Sequence, residues 1–177
     1  MQMRRRGLLM PLSVVLATAA AMTVPAAAVV PGAAASATER AGASSAAAPV
    51  PEADIAHHGH VTLWADRIRI RLRTENRGPT DVPASTVRLR FSAPLSVRQQ
   101  LPPGCLWGGR AAVLCETGAL PSGGQARQTA LELRLAGRPA EVVLRVDTVW
   151  SGGTRDADSR NDEHTVLAPS TGDAYAF

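Results

Sequence analysis

The chain predicts an all-β fold: an antiparallel sandwich of about seven or eight short strands packed into roughly 110 residues. Three observations carry that expectation. Several segments alternate apolar and polar side chains with period two, the spacing that puts one set on each face of a strand. Clusters of Gly, Pro, Asn and Asp separate them. Between those clusters no stretch has the spacing of an amphipathic helix. A small barrel is the alternative closure, and either would bury enough apolar surface to fold alone.

The elements follow in chain order. Arg4, Arg5 and Arg6 precede an apolar run from Leu8 to Ala21, and small-residue sites follow at 26–28 and 35–37. That order predicts a secretory signal peptide over 1–37, cut after about residue 28 or 37. A membrane anchor is the rival, but the uncharged stretch carries Pro11, Pro25 and Pro31 and thins into alanine, so no transmembrane helix is expected in the mature form. The arginine run lacks the polar residue and flanking pattern of twin-arginine export, which leaves ordinary secretion. Residues 38–59 are rich in Ala, Ser and Pro and read as a disordered spacer. It ends in His57, His58 and His60. Imidazoles favour zinc or copper, yet neighbouring side chains in an extended chain point opposite ways, and the reading is an incidental polar junction.

The sandwich is expected over 60–168. Its clearest strand is "DRIRIRLRTE", where Ile68, Ile70 and Leu72 face one side and Arg67, Arg69, Arg71 and Arg73 the other. "STVRLRF", "QTALELRL" and "EVVLRVDTVW" repeat the pattern, and "HVTLWA", "LSVRQ", "AAVLC" and "EHTVLA" are shorter candidates. Turns are expected at "NRGPTDVP", "LPPG", "LPSGGQ", "AGRP" and "SGGTRDADSRND", with Gly78 and Gly123 suited to positive φ and Asn76 and Asp81 to bonding nearby backbone. Residues 169–177 form a C-terminal tail. Its "LAPSTG" has one residue too many for a sortase signal, and Tyr175 and Phe177 are expected to fold back or stay disordered.

Cys105 and Cys115 lie symmetrically about a turn near Arg110. A hairpin pairing them places their Cβ atoms opposite each other, within disulfide reach. A metal site needs more ligands than the segment offers, and a redox pair usually wants its thiols two residues apart. In an exported chain two such cysteines are expected to pair, stabilising the fold by about 2 to 3 kcal/mol.

The order of these motifs resembles the bacterial extracellular repeat family called domain of unknown function 11. The matching residues are Asn76, Gly78, Pro79, Thr80 and Asp81; Cys105 and Cys115; Leu120 and Gly123; and Asp156, Asp158 and Asn161. The resemblance covers about residues 60–168 and departs at Asp162, where the family usually has a second Asn. It implies an immunoglobulin-like sandwich in a secreted or envelope protein, with no established catalysis.

Charge narrows the function classes. The chain carries 19 arginines, no lysine and 15 carboxylates. Removing Arg4, Arg5 and Arg6 with the signal leaves 16 arginines against those 15 carboxylates, so the basic leader implies no nucleic-acid partner. Arg69, Arg71 and Arg73, with Arg88 and Arg90 if the two strands share a sheet, would make a cationic face for teichoic acid, acidic polysaccharide or phospholipid head groups; a merely solvated face is the plainer alternative. Asp156, Asp158, Asp162 and Glu163 suggest a calcium loop, although a central Gly and a twelfth-position Glu are missing and loop capping explains them as well. No GxSxG, HExxH, phosphate loop or CxxC occurs, so no catalytic residue and no cofactor beyond calcium is expected. The function these readings favour is a secreted, non-catalytic module that binds or structures an envelope polymer. The alternative is a diffusible protein that binds or inhibits another extracellular protein through the hairpin tip, with Trp107 and Arg110 as anchors.

Overall fold

The structure, a computed structural model, describes residues 48–177; the expected signal peptide and the first part of the expected spacer lie outside the described residues. Eleven strands are described: β1 (Glu52–Ala53), β2 (Ile55–Trp64), β3 (Arg67–Asn76), β4 (Thr86–Phe91), β5 (Cys105–Gly109), β6 (Ala112–Glu116), β7 (Arg127–Arg134), β8 (Glu141–Trp150), β9 (Arg155–Asp156), β10 (His164–Pro169) and β11 (Ala174–Ala176). No helix occurs among the described residues, and so none long and apolar enough to cross a membrane. The chain is all-β, as its alternation predicts.

Two antiparallel sheets face each other. One has the order β11-β2-β3-β7, the other β10-β8-β4-β6-β5, and a short parallel pair β1-β9 stands apart. Ile68, Ile70 and Leu72 of β3 and Leu131 and Leu133 of β7 pack against Val87 and Leu89 of β4 and Leu144 and Val146 of β8 in one core. All nine are 3% exposed or less. Each such side chain contributes about 1.5–3 kcal/mol relative to exposure. A smaller cluster of Ala53, Ile55, Val82 and Leu120 closes the end where the 76–84 and 117–124 loops meet.

The hairpin expected around the cysteines is present. Cys105 of β5 stands directly opposite Cys115 of β6, with Cα atoms 4.1 Å apart and a disulfide between them. Both cysteines are buried in the main core. A bulge between Trp107 and Gly109, with Gly109 at φ 133, bends the strand before the turn.

Two expectations need correction. Residues 52–59, read as disordered spacer, form β1 and the first half of β2. Their inward positions are Ile55, His57 and Gly59, so a buried histidine and a glycine hide the alternation. "LSVRQ" is not a strand: Leu95 makes one isolated bridge to Leu135. In its place the Gln99 side chain pairs with the edge of β7, accepting from Arg134 N at 2.7 Å and donating to Arg134 O at 2.9 Å. Of the two courses expected for the tail, folding back is the one taken: β10 runs to Pro169, β11 pairs with β2, and Tyr175 and Phe177 pack on the core.

Candidate functional site

The outer face of the four-stranded sheet is built in cross-strand rows. Trp64 of β2 stands opposite Arg67 of β3, and Arg67 opposite Arg134 of β7. The next row runs Ala174, Thr62, Arg69, Glu132, and the one after it Ala176, His60, Arg71, Ala130. His58, Arg73 and Gln128 make the fourth. Period-two alternation forces this arrangement: with Ile68, Ile70 and Leu72 inward, every intervening arginine points to solvent.

Five guanidiniums thus share a face with one carboxylate from the same rows. Glu132 bridges Arg69 at 3.2 Å and Arg67 at 3.6 Å. At the far end Glu75 takes Arg77 and Arg73, at 2.6 and 2.9 Å. The hydrogen bond from Arg77 does most to hold Glu75 below the usual carboxylate range, with Arg73 adding to it. Arg77 also donates to His58 Nε2 at 2.7 Å. Among the described residues, Arg71 and Arg134 have no carboxylate within ion-pair distance.

Arg88 and Arg90 do not join this face. They lie on β4, in the five-stranded sheet, and point out from the opposite side of the molecule. Asp147 of β8, directly opposite Arg88 in the ladder, binds Arg88 through both oxygens and Arg90 at 3.2 Å. That hydrogen bonding holds the Arg88 guanidinium above its ordinary pKa. The expected five-arginine ladder is therefore two groups on opposite faces, and of the five only Arg71 lacks a carboxylate within ion-pair distance among the described residues. Alternation reveals which side chains face out but not which sheet receives a strand.

The four acidic residues expected at a calcium site do not converge. Asp156 accepts from Ile55 N at 3.0 Å and Asp158 N at 3.0 Å, and Asp158 pairs with Arg160 at 2.9 Å. Asp162 is buried while Glu163 is exposed. Among the described residues no group of three or more His, Cys, Asp or Glu side chains is placed to hold a metal ion. The carboxylates are engaged in capping β2 and in closing their own loop.

Asp162 instead ends a buried polar chain that begins at His57. His57 is 0% exposed, with Nδ1 2.9 Å from Thr74 Oγ1 and Nε2 2.9 Å from Thr148 Oγ1. Burial, with the nearby His164 and His58, lowers its pKa to about 4. Burial raises Asp162 to about 6, against a hydrogen bond from Thr148. In a neutral imidazole one ring nitrogen donates and the other accepts, and the two threonine hydroxyls can serve either role, so both ring nitrogens are satisfied. The neutral ring is a tie between the two sheets, so His57 is structural, while His58 and His60 lie on the opposite parity of β2.

At the hairpin, Arg110 is exposed at the turn and Trp107 is 43% exposed on the edge strand, beside Leu106 at 72%. The turn backbone is fastened, with Leu95 N donating to Arg110 O at 2.8 Å. One residue of the cationic side escaped notice in the sequence, Trp64. Trp64 shares the parity of Thr62 and His60, which marks it as outward-facing and is the signal that would have found it. Comparison with protein-family models, with curated proteins and with solved structures gives no match.

Proposed function

We propose that this chain is a secreted, non-catalytic immunoglobulin-like module that binds an anionic polymer of the bacterial cell envelope through the outer face of its β11-β2-β3-β7 sheet. The observation that carries this reading is the charge count of that face: Arg67, Arg69, Arg71, Arg73 and Arg134 against Glu132 and Glu75, with Arg71 and Arg134 lacking a carboxylate within ion-pair distance among the described residues. Guanidiniums in rows on a rigid sheet suit repeated carboxylate or phosphate groups, which Arg takes in paired hydrogen bonds. The Cys105–Cys115 disulfide supports an oxidising compartment, in keeping with the leader read from the sequence. The likeness to domain of unknown function 11 enters here as part of the proposal.

Co-sedimentation with purified anionic wall polymer tests it. An Arg69→Ala, Arg71→Ala, Arg73→Ala variant is expected to lose about tenfold or more in affinity, while Arg138→Ala, Arg145→Ala stays at the wild-type value. Equal binding by both variants overturns the proposal. The second reading, capture of another extracellular protein, is favoured by Leu106 and Trp107 on the exposed edge β5. Recovery from the culture medium in complex with one stoichiometric protein, and not from the wall fraction, would support it.

A further inference from the structure

We propose that the cleft where β2 turns into β3 is a subsite for an acidic sugar residue, with the Trp64 indole as the stacking surface and Arg67 and Arg69 as the carboxylate-binding pair. This rests on the reading of the same face as a polyanion surface and narrows the polymer class to uronic-acid-type glycans.

The cleft has a volume of about 500 Å³ and is lined by Thr62, Trp64, Asp66, Arg67, Arg69 and Gly172 among others. Trp64 is 63% exposed, although an indole is the costliest side chain to leave in water. Its surroundings are fixed. Gly172, at φ +86, donates to Leu63 O at 2.9 Å and approaches so closely that an added Cβ would stand 3.3 Å from Trp64 Cε3. Ser170 Oγ accepts from Ala65 N at 3.0 Å, and Ala65 holds φ 54 in the turn. The tail therefore braces the turn that carries the indole, and most of the ring stays open.

The polar half is set by register. Arg67 lies opposite Trp64 and Arg69 opposite Thr62, so aromatic, hydroxyl and two guanidiniums form a two-by-two block on one surface. Glu132 gathers both guanidiniums, but all three side chains are half exposed or more, which makes this a weak, displaceable pairing. A ligand carboxylate can replace Glu132 on a pair already held together. Thr62 and Asp66 offer a donor and acceptors for ring hydroxyls. On the β11 side Ala174 stands opposite Thr62, and its methyl leaves the cleft open.

An acidic pyranose uses both halves: its C–H face lies on the negative face of the indole, and its carboxylate meets the guanidiniums. A neutral sugar satisfies only the first half and a polyphosphate only the second.

Titration of the protein with tetragalacturonate, followed by isothermal calorimetry, tests the assignment beside maltotetraose and inorganic polyphosphate. Uronate is expected to bind more tightly than the neutral sugar, and Trp64→Ala and Arg69→Gln are each expected to weaken it about tenfold. Trp107→Phe leaves it unchanged, and Trp64→Ala leaves polyphosphate binding unchanged. Because the ring is exposed, melting of Trp64→Ala should match wild type, and Arg69→Gln stands as the independent variant. Uronate affinity indifferent to Trp64, or absent while polyphosphate binds, overturns the subsite and spares the polyanion reading. Failure of both anionic probes overturns both.

Discussion

Asn76 makes four hydrogen bonds from one buried amide. Oδ1 accepts from Gly78 N at 3.0 Å and Asp54 N at 3.2 Å, and Nδ2 donates to Thr80 O at 2.7 Å and Leu120 O at 3.2 Å. Asn76→Ala strands those backbone groups where water is excluded and should cost about 2–4 kcal/mol in urea unfolding. Asn76→Asp should also destabilise, because it turns a donor into an acceptor facing two carbonyls. His57 and Asp162 give a prediction in pH. His57 has a folded pKa of about 4, below its ordinary 6.5, so on acidification the unfolded chain protonates first and stability falls through that window. Asp162 has a folded pKa of about 6, above its ordinary 3.8, so the folded state protonates first and stability rises as pH falls from about 6 towards 4. The two slopes oppose each other and should leave wild type nearly level there. Asp162→Asn should lose about 2 kcal/mol on acidification through that range, and His57→Gln should gain; melting at both ends of the range checks it, and slopes of the same sign would refute the assignment. Of these residues, Asn76 was legible as a turn former. His57 was not, because a buried histidine looks like any polar residue until the strand opposite supplies Thr74.

Strands announced themselves where their alternation was long and uninterrupted, which the buried His57 and the Gly59 of β2 prevent. The alternating segments of β3, β4, β7 and β8 stand where period two puts them, whereas β1, β9 and β11, of two or three residues, are too short to show a period. Gly78 illustrates a related limit. Its sequence context suggests a positive φ, but its need is for space, since an added Cβ would meet the Ala53–Asp54 backbone, and the positive φ belongs to Gly123. The cysteine hairpin was legible because symmetry about a turn is a local property. Its edge position was not, and it matters: β5 has a partner on one side only and exposes Leu106 and Trp107. The disulfide fastens this edge through its first residue. Cys105→Ala, Cys115→Ala should lower stability by about 2 to 3 kcal/mol. Amide exchange should then quicken over β5 and β6 and stay unchanged over β2 and β3; uniform acceleration would mean that the bond supports the whole core rather than one hairpin.

At the scale of the whole molecule, each outer face holds paired arginines beside an unpaired one. On the five-stranded sheet Asp147 takes both Arg88 and Arg90, and Arg145, opposite Arg90, has no carboxylate within ion-pair distance among the described residues. On the four-stranded sheet the rows place Ala130 opposite Arg71 and leave that guanidinium without a carboxylate among the described residues. Which arginines are paired is invisible in a net charge, and the sequence could not reveal it without knowing which strands share a sheet. It yields a test that removes no arginine. Ala130→Glu puts a carboxylate beside Arg71, and a cross-strand pair of opposite charge adds about 0.2–1 kcal/mol to a sheet. The variant should be as stable as wild type or slightly more so, yet bind anionic polymer about three- to tenfold more weakly at low salt. Thr165→Glu, beside Arg145 on the other face, makes the same change in net charge. It should leave binding near wild type if the polymer reads one face, and weaken it equally if only the total charge counts. Added salt should erase the difference between wild type and Ala130→Glu as the Debye length falls below about 5 Å, since that difference is one of exposed charge. A gain in stability with a loss of binding in Ala130→Glu separates a lost contact from a damaged fold.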